Sequence, residues 1–215
     1  MGNAAEEEKK YYLFMDKGWR IFAPFYDPLT KKPLSGLRRK VVEFTDAPRS
    51  SRILDVCTGT GEQALAFARM GHGVIGVDMS EAMLSIARTK NKLPNLRFEL
   101  ADATSLPFGN HGFDVACVSF GLHEMPSSVR EKTLKEMARV TRPAGLILIA
   151  DYGLPSNAVG RFLFYHFVRL YEGKHYGEFL RSNLQVYLRT IGIEVVDELR
   201  ALLGGARVLK GVRAG

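Results

Sequence analysis

Arg52-Ile53-Leu54-Asp55-Val56-Cys57-Thr58-Gly59-Thr60-Gly61-Glu62-Gln63-Ala64 is the stretch whose reading decides the fold. Ile53, Leu54 and Val56 are β-forming residues, and Ala64 to Met70 continues as a helix. Between them, Gly59 and Gly61 stand where the backbone must turn sharply and lie close to a ligand, since a Cβ would block both. A helix N-terminus follows at once, and its free N–H groups point at whatever the loop holds. Strand, glycine turn and helix in that order make a nucleotide-type cofactor site.

Downstream, the chain alternates strand and helix. Strands are predicted over 52–57, 73–79, 96–101, 113–119 and 146–150. Helices are predicted over 61–70, after an N-cap at Ser80, and over 128–140, where Arg142-Pro143-Ala144-Gly145 is a stop signal. Near-continuous apolar strands alternating with helices mean a parallel sheet covered on both faces. After residue 152 the pattern becomes helical and aromatic, with helices over 157–170 and 178–189. Strands over 194–202 and 206–212, joined at Gly204-Gly205, then close the chain as an antiparallel hairpin.

Upstream, residues 1–50 form a helical arm. Residues 1–10 are polar and read as frayed, and Tyr11, Tyr12, Phe14, Trp19, Phe22, Phe25 and Tyr26 make the next stretch aromatic. Pro24 and Pro28 read as a turn, and 33–44 as an amphipathic helix with Leu34, Leu37, Val41 and Phe44 on one stripe. Such an arm either packs on the domain or closes over a ligand as a lid.

The chain carries a net charge of +7, with no dense Lys/Arg block outside Arg38-Arg39-Lys40 and Lys31-Lys32. That suits a basic enzyme, or one that meets an anionic partner. Cys57 and Cys117 fall in predicted core strands and read as small apolar residues in a reducing compartment. With no apolar run of membrane-spanning length and no signal-peptide pattern, the expectation is a cytoplasmic protein.

Three aspartates narrow the cofactor. Asp78 ends the second strand about twenty residues after the glycines, as a ribose-binding carboxylate should. Asp55 lies inside the first strand, where a pyrophosphate site would avoid negative charge and a cofactor with an amino group would tolerate it. Asp102 ends the third strand and can accept from an adenine amino group, while Ser119-Phe120-Gly121 ends the fourth. Together with Leu106-Pro107-Phe108, Phe113-Asp114 and Arg139 to Gly145, these segments resemble the motifs of class I S-adenosylmethionine-dependent methyltransferases. Phe120-Gly121-Leu122 and Tyr26-Asp27 are most similar to the quinone-biosynthesis (ubiquinone/menaquinone) C-methyltransferases. The resemblance covers roughly residues 50–152, with the terminal hairpin matching the family's reversed strand. Cys57 and Ala144 stand where the family usually has glycine, and Cys57 is expected to keep an extended backbone.

The resemblance implies an α/β fold with a Rossmann-like, doubly wound, seven-stranded sheet. That sheet is mostly parallel with an antiparallel terminal hairpin strand, and helices lie on both faces. It implies a methyltransferase domain over 51–215, with 155–190 as a helical insertion on the substrate side. It further implies that Asp55, Cys57, Thr58, Gly59, Gly61, Asp78, Met79, Asp102, Ala103, Ser119 and Phe120 hold S-adenosyl-L-methionine. His123 is the candidate general base, with Tyr26 and then Tyr152 as alternatives, and no metal ligand is assigned. His166 and His175 read as packing residues. Trp19, Phe22, Tyr26, Phe162, Phe164, Tyr165, Tyr171 and Tyr176 either line a site for an apolar, aromatic or lipid acceptor or form helix core. The acceptors this suggests are a quinone-like ring or a phospholipid amine, the latter reached at a membrane surface. No nucleic-acid partner is expected, and the oligomeric state is open. The alternatives are an NAD(P)-dependent oxidoreductase, which Asp55 and Asp102 oppose, and a non-catalytic binding protein of the same fold.

Overall fold

The computed structural model describes residues 2–170 and 172–214. Its strands are β1 (Arg52–Val56), β2 (Gly73–Asp78), β3 (Leu96–Leu100), β4 (Phe113–Ser119), β5 (Thr141–Tyr152), β6 (Ile193–Ala201) and β7 (Ala206–Arg213). Its helices are α1 (Gly2–Thr45), α2 (Glu62–Arg69), α3 (Glu81–Lys90), α4 (Ser127–Val140), α5 (Ala158–Arg169), α6 (Lys174–Arg181) and α7 (Leu184–Thr190). The seven strands form one sheet in the order β3-β2-β1-β4-β5-β7-β6. All pairs from β3 to β5 are parallel, and β7 runs antiparallel to both of its neighbours. This is the doubly wound arrangement expected, with its direction reversing between β1 and β4, where open α/β sheets bind ligands.

Alternation along the strands splits the core in two. Leu54, Val56, Ala116, Val118, Ile147 and Ile149 face one side, under α4, α6 and α7. Ile53, Val115, Cys117, Leu148 and Ala150 face the other, under α2 and α3. α1 contributes to both. Its Tyr11 and Met15 pack into the first cluster, and its Leu37 and Val41 into the second. The helix therefore passes from one face of the sheet to the other, and its middle crosses the carboxyl ends of the strands.

That arm departs from expectation. Residues 2–10 are helical rather than frayed, held by Glu7 to Lys174 at 2.6 Å and Glu8 to Lys132 at 2.9 Å. Pro24, Pro28 and Pro33 lie inside the helix rather than in a turn. Each removes one ladder donor, at a cost of about 3 kcal/mol in an undocked helix. Hydroxyl back-bonds run through this section, from Thr30 to the Tyr26 carbonyl and from Ser35 to the Lys32 carbonyl, both at 2.8 Å. Burial of the inner face against both core clusters supplies what the ladder lacks.

Elsewhere the differences are local. The helix expected over 178–189 is two, α6 and α7, because Asn183 caps a new start by accepting from the Val186 N–H. β5 begins at Thr141 rather than 146, and the expected stop signal becomes an irregular register against β4. Ser80 caps α3 as expected, accepting from the Met83 N–H.

Candidate functional site

The loop after β1 is a chain of left-handed residues: Cys57 at φ 55°, Gly59 at φ 55° and Gly61 at φ 80°. Cys57 does not keep the extended backbone expected of it. An L-residue there costs about 1–2 kcal/mol, and its side chain needs room. Gly121 provides it, since a Cβ there would stand 3.0 Å from the Cys57 Cβ. The two glycines of the loop have different tasks. A Cβ on Gly59 would meet open space, so its surroundings are free for a ligand, whereas one on Gly61 would overlap the Phe98 ring. Gly61 does not line the cleft and lets α2 pack on the sheet. Ala144, the other departure from the family's glycines, also sits at positive φ, 56°.

A cleft of about 1100 Å³, counted out to its open mouth, lies at these strand ends. Asp55, Cys57, Thr58, Gly59, Asp78, Met79, Asp102, Ala103, Ser119 and Phe120 all line it. Asp55 is buried at the end of β1. Its Oδ2 accepts from the Thr58 hydroxyl at 2.6 Å, while Oδ1 has no hydrogen-bond partner. Burial pushes its carboxyl up to about 7. Asp78 accepts from the Gly59 and Ser80 N–H groups at 2.8 and 2.9 Å, and burial raises its carboxyl too. Asp102 accepts from Thr104 N–H and hydroxyl, both at 2.8 Å, and from the Tyr12 hydroxyl at 3.0 Å.

The roof is α1, through Tyr11, Met15, Trp19, Tyr26, Leu34, Leu37, Arg38 and Val41. Beside Tyr12, a second tie fastens it: the Thr60 hydroxyl donates to Asp27 at 2.5 Å, and Lys90 bridges Asp27 at 2.6 Å and Glu62 at 2.8 Å. Nothing in the sequence points to Tyr12, Asp27, Thr60 or Lys90 as ties at the site. Their contacts span 28 to 92 residues, and no local pattern marks the pairings.

The candidate bases fare differently from the cofactor set. His123 does not line the cleft; it is 3% exposed, behind Phe120, with Nδ1 on Asp151 at 2.8 Å. Burial opposes its charge, yet Asp151 and Glu172 outweigh it and raise the imidazole well above its ordinary value. Turned inward onto Asp151 and absent from the cleft lining, it is not placed to take a proton from an acceptor there. Tyr26 does line the cleft, but burial pushes its phenol up to about 12, so it is an O–H donor at neutral pH. Tyr152 stays outside the cleft lining and donates to Glu172 at 2.9 Å. Glu124, to which the sequence gives no role, faces the cleft with its carboxyl raised by burial to about 7.

Of the expected aromatic lining, only Trp19 and Tyr26 reach the cleft among the described residues. Phe22 and Phe162 point to solvent, Tyr176 is fully buried beside Tyr152, and Phe164 and Tyr165 are half-buried around them. Tyr171 lies outside the described residues.

A methyltransferase-domain family model matches residues 53–145. A demethylmenaquinone methyltransferase of Renibacterium salmoninarum is 38% identical over 119 residues, 55% of this chain and 48% of that protein. The Staphylococcus carnosus demethylmenaquinone methyltransferase is 30% identical over 211 residues, covering 93% of this chain and 85% of that one. Against the first few curated relatives, the chain matches about half of their length. A Haloferax volcanii chain solved in complex with the Trm112 methyltransferase activator shares the fold, with a TM-score of 0.77 at 17% identity over 93% of this chain and 99% of that one.

Proposed function

The chain belongs to the class I S-adenosylmethionine-dependent methyltransferase family, and on that footing we propose that it methylates a small, apolar, ring-bearing acceptor of the quinone-precursor kind. One observation carries the reading: the unpartnered, buried Oδ1 of Asp55, at the base of a cleft floored by a glycine loop. A lone buried carboxylate oxygen is costly unless an N–H donor meets it. The ammonium of a methionine group is such a donor, so the residues fit the cofactor. Asp78 would take the ribose hydroxyls, Met79 and Ala103 the adenine faces, Asp102 the adenine amino group, and the open space at Gly59 the carboxylate end. The bound cofactor supplies an electrophilic methyl group. The protein then has to align the acceptor and exclude water. Trp19, Tyr26 and Leu34 on the roof serve both ends, and α1 acts as a lid over residues 51–215.

The surface favours an acceptor of lipid character met at an anionic membrane. Phe14, Ile21, Phe22, Phe25 and Leu29 on α1 are each more than half exposed, as are Val159, Phe162, Leu163 and Phe167 on α5, in a chain of net charge +7. Among the described residues no helix is long and apolar enough to cross a membrane. Transfer of labelled methyl from S-adenosylmethionine to a panel of quinone precursors, lipids and small amines tests the acceptor. Calorimetry with S-adenosylhomocysteine against NAD tests the cofactor, and tight NAD binding without S-adenosylhomocysteine binding would defeat the reading.

A further inference from the structure

Behind the cleft wall lies a second cluster of chemistry-bearing side chains that the methyl-transfer reading does not use. His123 and Glu124 share the single turn Leu122–Glu124 after β4, Asp151 lies near the end of β5, and Glu172 follows α5. Asp151 builds the turn. Its Oδ2 accepts from the Leu122 and His123 N–H groups at 3.1 and 3.3 Å, and its Oδ1 fixes the His123 ring through Nδ1 at 2.8 Å. The other ring nitrogen, Nε2, is left without a hydrogen bond although the residue is 97% buried by its 3% exposure. It points between two carboxylates, with Glu172 Oε2 at 3.3 Å and Glu124 Oε1 at 3.9 Å. Tyr152 donates to the other Glu172 oxygen, Oε1, which turns Oε2 towards the ring.

Three carboxylates thus surround one imidazole. Among the described residues no lysine or arginine forms an ion pair with Glu124 or Glu172. Arg130 donates to the Leu122 and Met125 carbonyls, and the Arg130 and Arg207 guanidinium groups lie over Phe179. Both arginines feel the charge of Asp151, but His123 is the one basic group that Glu124 and Glu172 face at ion-pair distance among the described residues, and the donor atoms converge.

We propose that His123 Nε2, Glu124 and Glu172 form a binding site for a divalent transition-metal ion, of which Zn²⁺ is the best match. The three donor atoms lie within 4.8 Å of one another. Bonds of about 2.0–2.2 Å place neighbouring donors of a tetrahedral zinc roughly 3.3–3.5 Å apart. The His123–Glu172 pair already has that separation, and Glu124 closes the third edge with a small side-chain movement. Asp151 holds Nδ1–H, as an outer carboxylate orients a metal-ligating histidine, and an ion at Nε2 would displace the proton that the neighbouring carboxylates favour there. One imidazole nitrogen and two carboxylate oxygens suit Zn²⁺ or Mn²⁺ rather than a thiol-seeking ion. Glu124 also lines the cofactor cleft, so the fourth position faces the acceptor end. There the ion would hold Glu124 as a carboxylate and meet an oxygen of the acceptor.

The test uses the full chain, stripped with a chelator and titrated with ZnCl₂ by calorimetry at neutral pH. One saturable ion per chain is expected, with affinity falling in Glu172→Gln and in Glu124→Gln by at least the roughly 10- to 100-fold that loss of an outer partner costs. Far-UV circular dichroism shows that the variants remain folded, independently of any methyl transfer. Saturable binding that is absent in the wild type, or retained at full strength in the double variant, overturns the proposal, the latter marking surface binding. A measurement without variants guards against misfolding. Co²⁺ in the wild-type chain should give the visible bands of a nitrogen- and oxygen-ligated ion, and their absence also overturns it.

Discussion

The floor and the roof of the cleft are built on different terms. The floor is strand ends and a glycine loop, and its acids are fixed by contacts within a few residues or across one strand pair: Asp55 by Thr58, Asp78 by Ser80 and Gly59. The roof is one proline-bearing helix fastened by residues far away in sequence, Asp102 to Tyr12 and Lys90 and Thr60 to Asp27. The floor is thus specified locally and held rigidly, while the roof is specified by docking and can be released by cutting a few ties.

The largest expected effect comes from breaking the floor. Asp78→Ala removes the acceptor of the Gly59 N–H along with the proposed ribose contact, and S-adenosylhomocysteine affinity should fall about 100-fold, or about 3 kcal/mol. Unchanged affinity by calorimetry would mean that the site has been misplaced.

The next tests whether the floor tolerates its odd residue because of a neighbour. Gly121→Ala should cost about 1–2 kcal/mol through overpacking against Cys57. Adding Cys57→Gly should restore most of it, since glycine removes both the clash and the left-handed strain. Chemical denaturation of the four variants in the cycle checks this, and additive costs would show the pair to be uncoupled.

The third concerns charge. In the free chain the folded Asp55 carboxyl titrates at about 7 against 3.8 ordinarily. A carboxyl raised in the folded state favours folding at low pH, and that contribution disappears as pH climbs from 3.8 through 7. Binding an ammonium requires the ionised form, with Asp78 nearby opposing ionisation and Arg38 favouring it. S-adenosylhomocysteine affinity should therefore weaken about tenfold per pH unit below 7. Asp55→Asn should bind weakly and without that slope; a flat wild-type profile would rule out the assigned role.

The smallest effect is on the roof. Asp27→Ala cuts the ties to Thr60 and Lys90, and should loosen the arm by about 1 kcal/mol. Hydrogen exchange should rise over 2–45 and stay unchanged in β1, β2 and β4. Equal loosening of arm and sheet would erase the distinction between floor and roof.

The same distinction explains what could be read from the sequence. Sheet order, strand positions and the acids at strand ends follow from apolar runs and glycine spacing, which act over a few residues. The continuity of α1 does not, because Pro24, Pro28 and Pro33 argue locally for turns and only burial on both core faces overrides them. Nor does the isolation of His123 from the cleft, which depends on Asp151, 28 residues later, pulling the imidazole inward. The left-handed backbone at Cys57 was hidden for a related reason, since the space it needs is supplied by Gly121 on another strand end.

The placing of β7 has a consequence for the order in which the chain takes shape. Residues 206–213 fill a gap between β5 and β6, although both of those strands are made first. While the chain is being synthesised, β5 therefore presents an unpaired edge rich in Leu146, Ile147, Leu148 and Ile149 until its partner arrives. Such an edge is a template for stray strands. A chain stalled before Ala206 should accumulate on chaperones or aggregate, and Gly204, at φ 92°, is part of the turn that lets β7 fold back into place.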